Sequence, residues 1–197
     1  MLLHFPGAVR PAVAALWTID EAMGAVVAEA SQPALAAIKL AWWREALERL
    51  DHAPPPVEPR LQGAARELLS RGVSGTELAG IEPGWAALLD EQPDPAVVAE
   101  HGRTLFAIEA QLLGSDPAAV ADAGRLFALA DARRRGVQGL SDAITELRRE
   151  LASFRSPPRL RPVTLATRLA LRPPTEAEGT PARALALIVH RLTGRIV

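Results

Sequence analysis

Apolar residues recur at helical spacing along nearly the whole chain, and the alternation expected of strands is weak. Residues 9–29 form an Ala-rich segment that stops at Ser31-Gln32-Pro33. The spacing predicts a second helix over 33–51, with Pro33 in its first turn, where a missing N–H costs nothing. Leu40, Trp43, Leu47 and Leu50 follow one another at spacings of three and four and make the apolar stripe of that helix. Lys39, Arg44, Glu48 and Arg49 take much of the remaining circumference.

Prolines punctuate the rest. Ala53-Pro54-Pro55-Pro56 through Pro59 cannot be helical and connects to a helix expected at 60–70. Ser74-Gly-Thr-Glu77 has the spacing of a capping box, in which serine and glutamate each satisfy an orphan N–H at a helix start. That helix is expected to be short, with Pro83 forcing a restart into Trp85–Leu89. Asp94-Pro95 and Asp116-Pro117 place a capping carboxylate before a proline, predicting long helices at 95–113 and 117–135. Further helices are expected at 140–154, 162–171 and 181–193, the last opened by Thr180-Pro181, with loops at Ser156-Pro157-Pro158 and Arg172-Pro173-Pro174. The expected fold is all-α, eight or nine helices packed as a single domain over 1–197.

Composition adds one asymmetry. The chain has 197 residues, 49% hydrophobic and 23% charged, with a formal net charge of −1. That value is a cancellation: residues 1–132 carry nine Lys+Arg against eighteen Asp+Glu, residues 133–197 thirteen Arg against five acids. The absence of Cys excludes a disulfide framework, thiolate metal sites and a thiol nucleophile. The apolar run Pro11–Trp17 is cut off by Asp20 and Glu21, and Met1-Leu-Leu-His-Phe-Pro6 lacks the layout of a signal peptide. The expected location is therefore the cytoplasm, with peripheral association at the inner membrane left open.

The four histidines, His4, His52, His101 and His190, lack partners at metal-ligand spacing, which favours structural or solvated roles. There is no nucleophile elbow, phosphate-binding glycine loop or dinucleotide fingerprint. Nucleic-acid binding is disfavoured because Phe154 is the only aromatic residue beyond 132, leaving the arginines without stacking partners.

The most specific feature is a three-part register: Ala15-Leu-Trp-Thr-Ile-Asp20-Glu-Ala-Met23, then Ser31-Gln-Pro33, then Ile38-Lys-Leu-Ala-Trp-Trp-Arg44-Glu-Ala-Leu47. It resembles the squalene/phytoene synthase family, in particular the divergent branch that includes the mitochondrial complex I assembly factor and its bacterial relatives. The likeness is strong over residues 10–50 and looser after 95, through Gly102-Arg-Thr-Leu-Phe106, Leu112-Leu113-Gly114, Ala123-Gly124, Leu126-Phe127-Ala-Leu129 and Arg161-Pro162-Val-Thr-Leu165. It implies a shortened isoprenoid-synthase-like helical bundle around a central cavity.

Enzymes of that family condense prenyl diphosphates using two aspartate-rich motifs. Carboxylates at i and i+4 share a helical face and hold Mg2+ against the diphosphate leaving group. By this resemblance Asp20 stands at the first acidic position, but position 24 is Gly24, and Glu21 projects about 100° away. In the second region Asp131 is followed at i+4 by Arg135. Both clusters are incomplete, so Asp20, Glu21 and Asp131 are vestigial candidates for catalysis.

Three functional readings follow. The first is a catalytically degenerate member acting by binding, as an assembly or chaperone-like factor for a membrane complex, with no cofactor. The second is an active prenyltransferase using Mg2+ on Asp20, Glu21 and Asp131. The third is a peripheral membrane or subunit-interface protein whose residues 133–197 meet an acidic protein or an anionic membrane. Arg133, Arg134, Arg135, Trp42 and Trp43 are the candidate ligand-binding residues, with a prenyl chain as one ligand. The bland alternatives are a helix-capping or solvated Asp20, tryptophans that anchor a core, and an arginine run completing a helix dipole.

Overall fold

The computed structural model describes residues 2–173, 175–176 and 179–197. It is all-α: ten α-helical segments, one of them barely a turn, are joined by short 3-10 turns, and no strand occurs among the described residues. The chain divides into two compact units that meet in sequence at Pro93–Asp94.

The first unit, Leu2–Pro93, contains α1 (Arg10–Ala28), α2 (Pro33–Arg49), α3 (Pro59–Glu67), α4 (Gly75–Ala79) and α5 (Glu82–Ala87). Helix α1 packs against α2, α3 and α5, and α2 lies on α4 and α5. The interior is mostly aliphatic, with Leu16, Ile19, Met23, Leu40, Leu47, Leu61, Leu68, Leu78 and Ile81 fully buried. The stripe read from sequence on the second helix, Leu40, Trp43, Leu47 and Leu50, is the face it buries. Helix α1 is long and apolar enough to cross a membrane by length and composition, which corrects the expectation drawn from the break of the run Pro11–Trp17 at Asp20 and Glu21. In the fold its buried residues, from Ala12 to Gly24, line the core of the unit.

The capping box forms as read. Ser74 Oγ accepts from the Glu77 N–H and the Glu77 carboxylate accepts from the Ser74 N–H. A second cap comes from the end of α2: the Asp51 carboxylate accepts from the N–H groups of Gly75 and Thr76 and from the Thr76 hydroxyl at 2.7 Å. Gly75 is required there, because a Cβ would lie 2.0 Å from the Leu47 carbonyl oxygen.

The second unit, Asp94–Val197, contains α6 (Pro95–Leu112), α7 (Ala121–Arg134), α8 (Ser141–Glu150), α9 (Arg161–Ala170) and α10 (Pro181–Thr193). Asp94, Asp116 and Thr180 cap as their Xaa-Pro steps predict. The segment after Asp116 begins as a 3-10 turn, Pro117–Val120, before α7 proper. Helices α6 and α7 form the tightest pair: a Cβ on Gly102 would lie 2.0 Å from the Gly124 carbonyl oxygen, and one on Gly124 2.3 Å from that of Gly102. Phe106 stacks on Phe127 beside this crossing, ring centroids 5.3 Å apart. Helix α9 packs on α7, and α10 on α9. The loop expected at Arg172-Pro173-Pro174 is seen as far as Pro173; Pro174, and Met1 at the chain start, lie outside the described residues.

Candidate functional site

The residue at the first acidic position is held as part of the core. Asp20 is 4% exposed on the inward face of α1, and its Oδ1 accepts a hydrogen bond from the Trp85 indole Nε1–H at 2.9 Å. One turn later, Gly24 gives the same ring its room: a Cβ there would lie 2.9 Å from Trp85 Cη2 and 3.1 Å from Cζ2. The i, i+4 spacing that would pair two carboxylates on a Mg2+ ion thus makes a cradle for an indole, one residue supplying the acceptor and the other the space. Any side chain at position 24 would have to displace the ring. Glu21 points to solvent. The donor set on this face does not fit a Mg2+ pair, which needs several hard oxygens converging on one ion. Among the described residues no group of three His, Asp or Glu side chains is placed to hold a metal.

In the second unit, Asp131 Oδ2 accepts from Arg135 Nε at 2.7 Å, an i, i+4 ion pair along α7. Arg134 turns to the end of α9, donating through Nη1 to the carbonyls of Arg172 at 3.0 Å and Leu169 at 3.5 Å, where cations suit the helix dipole. Arg133 is exposed. Arg134 and Arg135 therefore serve different partners while Arg133 lies exposed, and the run does not form one shared cluster.

The two tryptophans of α2 separate in the same way. Trp43 is 7% exposed and belongs to the core, while Trp42 is 47% exposed and meets Trp43 edge to face at 5.2 Å. Trp42 continues an outward stripe with Leu35 and Ile38, so α2 is apolar on two sides. A cleft of about 360 Å3 opens beside its N-terminal half, with Val26, Leu35, Ala36 and Trp43 along its walls and Lys39 and Arg60 at its edges.

Sequence reading missed the partner of Asp20 and a buried carboxylate, while His190, read as structural or solvated, is structural. Trp85 is 65 positions from Asp20, and no local pattern links them. Glu82 is 5% exposed, 3.7 Å from Arg44. Burial raises its carboxyl above the usual range; Arg44 acts against this and Glu48 adds to it. His190 is buried near the end of α10, with Nδ1 2.8 Å from the Arg195 carbonyl and Nε2 3.1 Å from that of Arg161. It fixes the last turn of the helix, while His4 and His52 are exposed.

Comparison with protein-family models, with characterised proteins and with solved structures finds no match to this chain.

Proposed function

We propose that this chain is a binding protein without prenyl-transfer chemistry, a degenerate relative in pattern of the squalene/phytoene synthases that serves as an assembly or chaperone-like factor for a membrane complex. The observation that carries this reading is the Asp20–Trp85–Gly24 cradle. A diphosphate-ionising site needs paired carboxylates free to meet a metal, whereas here the first carboxylate supports a buried indole and the second position has no room for a side chain. The Asp131–Arg135 pair adds support, because a cation occupies the spacing where the second acidic partner would stand. The outward stripe of α2, centred on Trp42, supplies the kind of aromatic anchor that protein interfaces use.

The test is an assay of pyrophosphate release from farnesyl and geranylgeranyl diphosphate, with and without Mg2+. No release above buffer is expected. Mg2+-dependent release that disappears in Asp20→Asn would overturn the proposal and return the chain to the prenyltransferases.

A further inference from the structure

Helix α10 presents two different faces. Ala186 and His190 are buried against the unit, while Leu185, Ile188 and Leu192, at i, i+3 and i+7, are 55–72% exposed on one strip of the outer surface. Three adjacent aliphatic side chains left in water on a single helix face need an explanation in a way that scattered ones do not.

The surroundings of that strip are basic. Hydrogen bonds draw arginines from separate segments to the C-terminal end of α10. Arg161 Nη1 donates to the Arg191 carbonyl at 2.7 Å, and Arg168 Nη1 to that of Ile196 at 3.0 Å. The Ser156 N–H donates to the Gly194 carbonyl at 2.9 Å, which ties the end of α10 to the segment before α9, while Arg155 Nη1 folds back to donate to the Phe154 carbonyl at 2.7 Å. Gly194 is indispensable to this junction: its φ is +71°, and a Cβ would lie 2.5 Å from the Ser156 carbonyl oxygen. Neither 151–175 nor 179–197 contains an Asp or Glu; Glu176, between them, pairs with Arg172 and Thr180 at the opposite end of α10. Burial first, then the cations of Arg172 and Arg148, hold the Arg168 guanidinium below the ordinary arginine range.

We infer that α10 and the arginines at its C-terminal end form a docking surface for an anionic lipid bilayer. The aliphatic strip would enter the acyl boundary while the exposed Arg191 and Arg195 meet lipid phosphates, whose geometry guanidinium groups match in two hydrogen bonds. An amphipathic helix with a basic border is the form such surfaces take. An acidic protein fits less well. The strip is a convex row of leucine and isoleucine without the tryptophan or tyrosine anchors that dominate protein interfaces. This inference stands on residues separate from the cradle, so it can fail while the proposed function holds, and the reverse.

The experiment is co-sedimentation of the full chain with vesicles of phosphatidylcholine alone and of phosphatidylcholine containing about one-third phosphatidylglycerol, at 50, 150 and 500 mM salt. The chain is expected to bind the anionic vesicles at 150 mM salt, to ignore the neutral ones, and to weaken at 500 mM as the charges are screened. The double variants Ile188→Glu/Leu192→Glu and Arg191→Gln/Arg195→Gln should each reduce the bound fraction at least tenfold with unchanged circular dichroism. Leu35→Glu on α2 should bind as the native chain does. If Ile188→Glu/Leu192→Glu fails to fold, the arginine pair decides the question alone. No binding to anionic vesicles, equal binding to neutral ones, or loss only in Leu35→Glu would overturn the inference. Binding of polyglutamate that persists in the Ile188→Glu/Leu192→Glu variant, with no vesicle binding, would overturn it in favour of an acidic protein.

Discussion

The Trp85 indole N–H donates to the Asp20 carboxylate at 2.9 Å, and both groups are buried. The pair joins the middle of α1 to α5 and fixes the orientation of the indole. Asp20→Ala leaves the indole donor without this acceptor and is expected to cost about 1–3 kcal/mol of stability, whereas Asp20→Asn keeps an acceptor and costs less. Gly24→Asp, which restores the i, i+4 acidic spacing, is expected to destabilise by about 1–3 kcal/mol through the clash with Trp85. Urea unfolding followed by tryptophan fluorescence measures all three. A Gly24→Asp protein as stable as the native one would show that the cradle yields easily.

Glu82 supplies a pH dependence of opposite sign to that of most carboxylates. Burial raises its carboxyl in the folded state, so the folded form binds its proton more tightly than the unfolded chain does. Its contribution is fully present below the unfolded value near 4.5 and is lost as pH rises through the raised folded value. Melting temperatures taken from pH 4 upward should show this loss in the native chain and not in Glu82→Gln.

Asp51 works in the other direction. Hydrogen bonds from the Thr76 side chain and from the Gly75 and Thr76 backbone hold its carboxyl below the ordinary 3.8, against the smaller effect of burial. Its contribution is present above that unfolded value and is lost as pH falls through the lowered folded one. Asp51→Ala removes the second cap of α4 and is expected to cost about 0.5–2 kcal/mol at pH 7, read by denaturant unfolding. The difference between the two proteins should shrink on acidification.

Trp42 and Trp43 are neighbours with unequal expected costs. Trp43→Ala empties a core position and should cost about 3–5 kcal/mol. Trp42→Ala removes a half-exposed ring and should cost under about 1 kcal/mol, because much of its surface is already in water. Equal losses in thermal unfolding would reassign Trp42 to the core.

Much of this fold is written in local signals. Asp94-Pro95, Thr180-Pro181 and the Ser74–Glu77 box each state a helix start within four residues and cap as read, while Asp116 caps a 3-10 turn that precedes α7. The spacing of Leu40, Trp43 and Leu47 marks an apolar face of α2 by helical period, and it is a face the helix buries. What stayed hidden depends on distant residues. Nothing near Asp20 says that Trp85 will meet it, and nothing near Asp51 says that α4 will start at its carboxylate. The contiguous Arg133-Arg134-Arg135 looks like one feature in sequence, yet the 100° turn per residue sends Arg134 and Arg135 to different partners and leaves Arg133 exposed. Exposure was equally invisible for Leu35, Ile38, Leu185, Ile188 and Leu192, since an outward apolar stripe reads in sequence like an inward one. The residues that carry the family resemblance in the second half, Gly102, Phe106, Gly124 and Phe127, prove to be the packing residues of the α6–α7 crossing. They testify to how two helices meet rather than to chemistry.

That crossing also sets a timescale. With the backbones touching at Gly102 and Gly124, neither helix can slip by one residue without driving the Cβ of a neighbour into a carbonyl. A crossing packed this closely is expected to open late, so its central N–H groups are expected to exchange with deuterium among the slowest of the unit. Alanine at position 102 would convert those slowest amides into fast ones, making the glycine pair the pin on which the durability of the second unit turns.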